Sequence, residues 1–177
     1  EGIIQKCNKR VGRRFRPLKC LMIELIDGKK ITRLGFPADP IVKAKKKITN
    51  EKVTFLEADL NKSWPVENTS FDIVTSSLTL EHIQDLNHIF KEAQTKLSAK
   101  GLFFICELHP FKQYNGSGAN FKTSEGKIQP SVFTHHISDY TRAAKECAFE
   151  LVELQEWFDD DSRQGLPRLV SFVFKKQ

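Results

Sequence analysis

Short apolar runs alternate along this chain with stretches in which apolar residues recur every three or four positions. Phe71, Ile73 and Val74 make one short run, ended by Thr75, Ser76 and Ser77. A β-favouring run of this length closed by polar residues predicts a strand covered on both faces. Ile83, Leu86, Ile89, Phe90, Ala93 and Leu97 then repeat at helical spacing, and Gly101 marks the expected end of that helix. Residues 102–106 form a second apolar run. Strand, helix and strand in this order predict a parallel pair. Ligands in open α/β sheets lie beyond the carboxyl ends of the strands. Those ends are Ser76-Ser77-Leu78 and Glu107-Leu108-His109-Pro110.

The same reading extends in both directions. Leu18, Leu21, Met22, Leu25 and Ile26 fit a helix over 17–27, with Pro17 in its first turn and Gly28 after its end. Residues 30–36 and 53–56 predict strands, the latter ending in Glu57-Ala58-Asp59-Leu60. Asp39-Pro40 opens a helix whose apolar side is Ile41, Val42, Ala44 and Ile48. Trp64 sits in the loop 61–70, where it is expected to anchor that loop, the alternative being a cover over a ligand site at the end of the preceding strand. Residues 111–133 are the least regular part of a single domain spanning 1–177, and are expected to be a lid or insertion. Ser138 or Asp139 is positioned to cap a helix running to about 148. Residues 149–157 and 169–174 predict two strands with no helix between them, hence an antiparallel pair.

FDIVTSSLTLEHI at 71–83, preceded by FLEADL at 55–60 and followed by LSAKGLFFICELHP at 97–110, resembles the class I S-adenosylmethionine-dependent methyltransferases of the type 11/12 group. The resemblance implies an α/β fold: a Rossmann-like, mostly parallel sheet of up to seven strands, an antiparallel last strand, and helices on both faces. It implies S-adenosylmethionine as cofactor, with Asp59 and the adjoining Leu60 at the adenine and Ser76, Ser77 and Leu78 under the methionine part. The family's glycine-rich turn after the first strand is not visible. Residues 6–12 stand in its place, and only Gly12 matches. Glycines there let the backbone approach the ligand, so their loss predicts weakened cofactor binding.

Methyl transfer from a sulfonium asks the protein mainly to align a nucleophile and at most to remove a proton. His109 at a strand end, and His135 and His136 after the irregular stretch, are the candidate bases. The expected acceptor is a small molecule. Two alternatives remain open. One is a methyltransferase-like pseudoenzyme. The other is an RNA-binding or RNA-modifying protein that uses a basic segment.

Charge bears on that last alternative. The net charge is +6, but residues 1–52 carry +10 and the remainder −4. Such asymmetry suits either a solvated basic face or an acidic partner such as nucleic acid. Cys7, Cys20, Cys106 and Cys147 are scattered singly, without zinc spacing, and read as reduced thiols of a cytoplasmic protein. No run approaches the roughly 20 apolar residues of a membrane span, and no metal site is expected.

Overall fold

The computed structural model describes residues 21–28, 30–36, 51–114, 121–123, 126–128, 132–159 and 163–177. The expected helix near 40–48 and Gly12 lie outside the described residues. Seven strands form one sheet: β1 (Leu21–Asp27), β2 (Lys30–Phe36), β3 (Val53–Glu57), β4 (Phe71–Ser77), β5 (Leu97–Leu108), β8 (Phe149–Trp157) and β9 (Leu169–Lys176). Their order across the sheet is β3-β2-β1-β4-β5-β9-β8. β2 with β3, and β4 with β5, pair parallel. β9 runs against both β5 and β8. The seven strands and the reversed last strand therefore follow the expectation.

β1 departs from it. Residues 21–27 are a strand rather than the end of a helix, and the strand runs antiparallel to both neighbours, β2 and β4. The run LMIELID satisfies helical spacing and strand alternation equally, because nearly every position is apolar. Asp27-Gly28 decides between them. Asp27 pairs with Lys30, leaving two residues for the link, and Gly28 adopts φ 53°. A link this short joins only antiparallel neighbours, and its turn needs positive φ. Gly28 N donates to Asp72 Oδ2 at 3.0 Å, which pins the turn to β4. Across the pair, Arg33 bonds Glu24 at 2.7 Å.

The two longer described helices pack on one face of the sheet. Registers place Leu34, Ile23, Leu25, Val74, Phe103, Ile105, Phe172 and Phe174 on it. α1 (Leu86–Lys96) buries Leu86, Ile89, Phe90 and Ala93 against this face, and α3 (Ile137–Glu146) buries Tyr140, Ala143 and Ala144. Asp85 caps α1 by accepting from His88 N at 3.0 Å. α3 begins two or three residues earlier than the sequence suggests. His136 is its cap, and Asp139 returns to accept from His136 N at 2.8 Å. Gly101 does not close α1. It lies inside β5, where an added Cβ would come within 2.9 Å of Leu97 Cδ2 and 3.0 Å of Ser98 O, while Lys100 takes the left-handed turn. The opposite face holds a smaller cluster of Phe104, Cys106, Leu169 and Val173.

Trp64 is buried in the main core and its backbone N–H donates to Glu92 at 2.7 Å, so it anchors its loop as expected. At the other end of α1, Lys176 Nζ from β9 donates to Gln94 O and Leu97 O, each at 2.7 Å. Of the stretch 111–133, the described parts are a short helix α2 (Pro110–Tyr114) and a hairpin of β6 (Phe121–Thr123) with β7 (Gly126–Ile128). Among the described residues no helix is long and apolar enough to cross a membrane.

Phe90 is the centre of the core. It is fully buried and meets Phe103, Phe149 and Phe174 edge to face, with centroids 5.2, 5.9 and 5.2 Å away. Phe90→Ala removes all three contacts, and urea unfolding should show a loss of about 3–5 kcal/mol.

Candidate functional site

β2, β3, β4 and β5 all point the same way, so the turns after β3 and β4 open on one edge of the sheet. Asp59 stands after β3 and is exposed. Its Oδ1 accepts from Asn61 N at 3.0 Å and Asn61 Nδ2 at 3.1 Å, and these bonds hold the carboxyl below its ordinary range. Oδ2 lies 3.9 Å from Lys62 Nζ, and retains lone pairs for a further donor. Leu60 turns inward and is buried in the main core.

At the end of β4, Ser76 points to the helix face and is fully buried, while Ser77 pairs beside Cys106 on the opposite face. Leu78 is half-buried with φ 50° and packs on the smaller cluster. A 3-10 turn, Leu80–His82, follows. Asp59 and the residues 76–78 thus share an edge, as the resemblance implies. Between their strands sit β2, whose carboxyl end faces that edge, and β1, whose amino end faces it and whose carboxyl end faces away, Ile23 standing beside Ser76. A parallel strand there would deliver a strand–turn–helix to the ligand. Among the described residues that delivery is absent from the middle of the edge.

Glu107 is the last residue but one of β5 and had no assigned role in the sequence. Its signal was an acid closing an apolar strand, FFICEL. It is buried, and Oε1 accepts from Thr79 N at 3.0 Å and Leu80 N at 3.1 Å. Burial pushes its pKa up to about 8, against the lowering effect of those amide bonds. Glu81 is raised by burial as well. Ser76 Oγ, Glu81 Oε2 and Glu107 Oε2 are buried without hydrogen-bond partners among the described residues. Burial, with Glu107 and Glu81 nearby, raises the Tyr140 hydroxyl too.

The three histidines have different situations. His109 is buried. Nε2 meets Glu156 Oε1 at 3.0 Å, Nδ1 accepts from Phe111 N at 3.2 Å, and the ring stacks on Phe111. Both nitrogens are taken, so His109 braces β5 against β8. His135 Nε2 lies 2.7 Å from Ile83 O. A carbonyl only accepts, so Nε2 carries the proton and Nδ1 holds the basic lone pair. His136 Nδ1 pairs with the Tyr114 hydroxyl of α2. Among the described residues no group of three or more His, Cys, Asp or Glu is arranged to hold a metal.

Glu107 gives this site a pH signature. Below pH 4.5 its carboxyl is protonated both folded and unfolded. From there to about 8 the unfolded chain releases the proton and the folded chain keeps it. Stability therefore falls as pH rises through that window, by at most about 1.4 kcal/mol per unit, and levels off above it. Urea unfolding at pH 5 and pH 8 should show wild type losing on the order of a few kcal/mol, and Glu107→Gln losing much less. Equal slopes would show that Glu107 does not titrate in this way.

The model of a family described as methyltransferase domain matches residues 17–105, half of the chain. Among solved structures, an S-adenosylmethionine-dependent methyltransferase from Mesorhizobium loti is 16% identical with a TM-score of 0.72, over 94% of this chain and 96% of that one. One from Methanosarcina mazei is 16% identical with a TM-score of 0.63, over 82% and 81%. A third, from Clostridium acetobutylicum, is 12% identical with a TM-score of 0.65, over 81% and 73%. At these identities the likeness speaks for the fold. No curated protein matches the chain. The matched segment runs from ahead of β1 to Ile105 in β5, and so takes in Asp59 and the turn after β4: this chain belongs to the methyltransferase domain family.

Proposed function

We propose that this chain transfers a methyl group from S-adenosylmethionine to a small-molecule O, N or C nucleophile. The observation that carries the reading is the shared edge of Asp59 and the 76–78 turn, where the two ends of an extended adenosyl–amino acid ligand would lie. Asp59 Oδ2 would accept from the adenine amino group, and residues 76–78 would line the methionine part. The cofactor, when bound, supplies an activated methyl group on a sulfonium. The protein's share is alignment and the acceptance of one proton. His135 suits the second task because its Nδ1 lone pair is fixed by the Nε2 bond to Ile83. His136, paired with Tyr114, is the other candidate. His109 is better suited to support, since both of its nitrogens are occupied.

We read residues 111–133 as a cover over the acceptor, since α2 begins directly beyond β5 on the same edge. Limited proteolysis should cut there first, and cofactor should slow the cut. Cutting unaffected by any ligand would remove the lid.

A second reading is favoured by the reversal of β1. Without a strand–turn–helix at the middle of the edge, a methyltransferase-like pseudoenzyme would keep the fold and lose the cofactor. Isothermal titration of S-adenosylmethionine and of its demethylated product separates the two. Catalysis predicts saturable binding of both ligands, weakened roughly tenfold by Asp59→Ala, the loss of about one good hydrogen bond. No binding of either ligand would support the pseudoenzyme.

A further inference from the structure

The start of the turn after β4 is held from the neighbouring strand rather than by a side-chain cap of its own. Thr79 stands at the start of the 3-10 turn, yet its hydroxyl points back to Ser77 O at 3.1 Å and caps nothing. Thr79 N and Leu80 N, two of the amide groups that a helix start leaves without partners inside the turn, both donate to Glu107 Oε1 across the sheet. Leu78 N donates to Cys106 O at 2.9 Å. Two consecutive residues of β5 thus bind three consecutive amide groups of the turn. Leu78 sits among them at φ 50°, a conformation leucine keeps only when its surroundings impose it.

We propose that Glu107 is a positioning residue for methyl transfer, tying the turn that would carry the cofactor's methionine end to the strand that leads into the acceptor side. The proposal rests on the methyltransferase reading above. A turn capped by its own serine or threonine could shift relative to β5. Tied to Cys106 and Glu107, it moves only with β5. The strand then continues into α2, where Tyr114 reaches His136. One side chain thereby sets the separation between methyl donor and acceptor, the quantity to which transfer is most sensitive. The carboxyl is buried, so water does not compete for the two amide groups. Glutamate has the reach to span the strands, and aspartate is one methylene shorter.

The test compares two probes, S-adenosylhomocysteine and adenosine, which share the adenosyl part and differ in the amino-acid part. Glu107→Met keeps side-chain bulk and removes both acceptor oxygens. In the folded variant, affinity for S-adenosylhomocysteine should fall roughly tenfold or more while that for adenosine stays within about twofold. Glu107→Gln, which keeps one acceptor oxygen, should recover most of the loss. Equal weakening of both probes would mean a merely structural role and overturn the proposal. Should Glu107→Met not fold, Leu78→Gly relaxes the same turn, because glycine needs no restraint at φ 50°. A selective loss for S-adenosylhomocysteine supports the proposal, and unchanged affinity overturns it. Failure of the unmodified chain to bind either probe would instead remove the methyltransferase reading itself.

Discussion

The parallel pairing of β4 with β5 is the constraint on which the rest of the site depends. It brings two carboxyl ends side by side, Ser77 opposite Cys106, at the edge where α/β sheets meet their ligands. Because the ends are level, one side chain from β5 can reach the amide groups that begin the next turn of β4. Because the strands run in the same direction, the segments that leave them, the 3-10 turn and α2, rise on the same side. A slip of one residue would send Glu107 to the opposite face and leave Thr79 and Leu80 uncapped. Phe103, Ile105 and Phe90 fix that register from within the core.

β1 shows how a local preference can override a familiar arrangement. A two-residue link with glycine at positive φ is cheap, local and forms quickly. A crossover through a helix is long and relies on distant packing. The sheet accepts the reversed strand because Ile23 and Leu25 fill the core from either direction, and because Arg33 and Glu24 pair across it. The core thus tolerates a change that the ligand edge feels. Burial reads a side chain's face, whereas a binding edge reads which end of a strand arrives there.

This distinction explains what was legible in the sequence. β3, β4, β5 and β9 were visible because each is a compact apolar run between polar breaks, β8 because 149–157 alternates in part, and α1 because Leu86, Ile89, Phe90 and Ala93 mark a single stripe. The reversed partner of β9 followed from the missing helix before it. β1 was not legible because LMIELID, apolar at five of seven positions, suits a helix and a strand alike, and Asp27-Gly28 suits a helix end as well as a hairpin. Within the site, Asp59 and residues 76–78 were found from strand ends and a resemblance. Glu107 was not, because its partners are backbone amide groups 27 and 28 residues away, and backbone leaves no signature in a sequence. His109 looked like a free base for the converse reason: the groups that occupy it, Glu156 and the Phe111 amide, become neighbours only once the sheet is folded.

The place of β9 has a consequence for how the chain is made. It is synthesised after every other strand of this sheet, yet it belongs between β5 and β8, and its Lys176 closes the carboxyl end of α1. While a ribosome is still producing residues 169–176, β5 has an open edge, and the carbonyl groups of Gln94 and Leu97 lack their cation. The growing chain therefore passes through a stage in which the apolar run of β5 offers an unpaired border to any other strand nearby. β9 enters late between β5 and β8, and a chaperone that shields β5 until then would act on this protein at a vulnerable point.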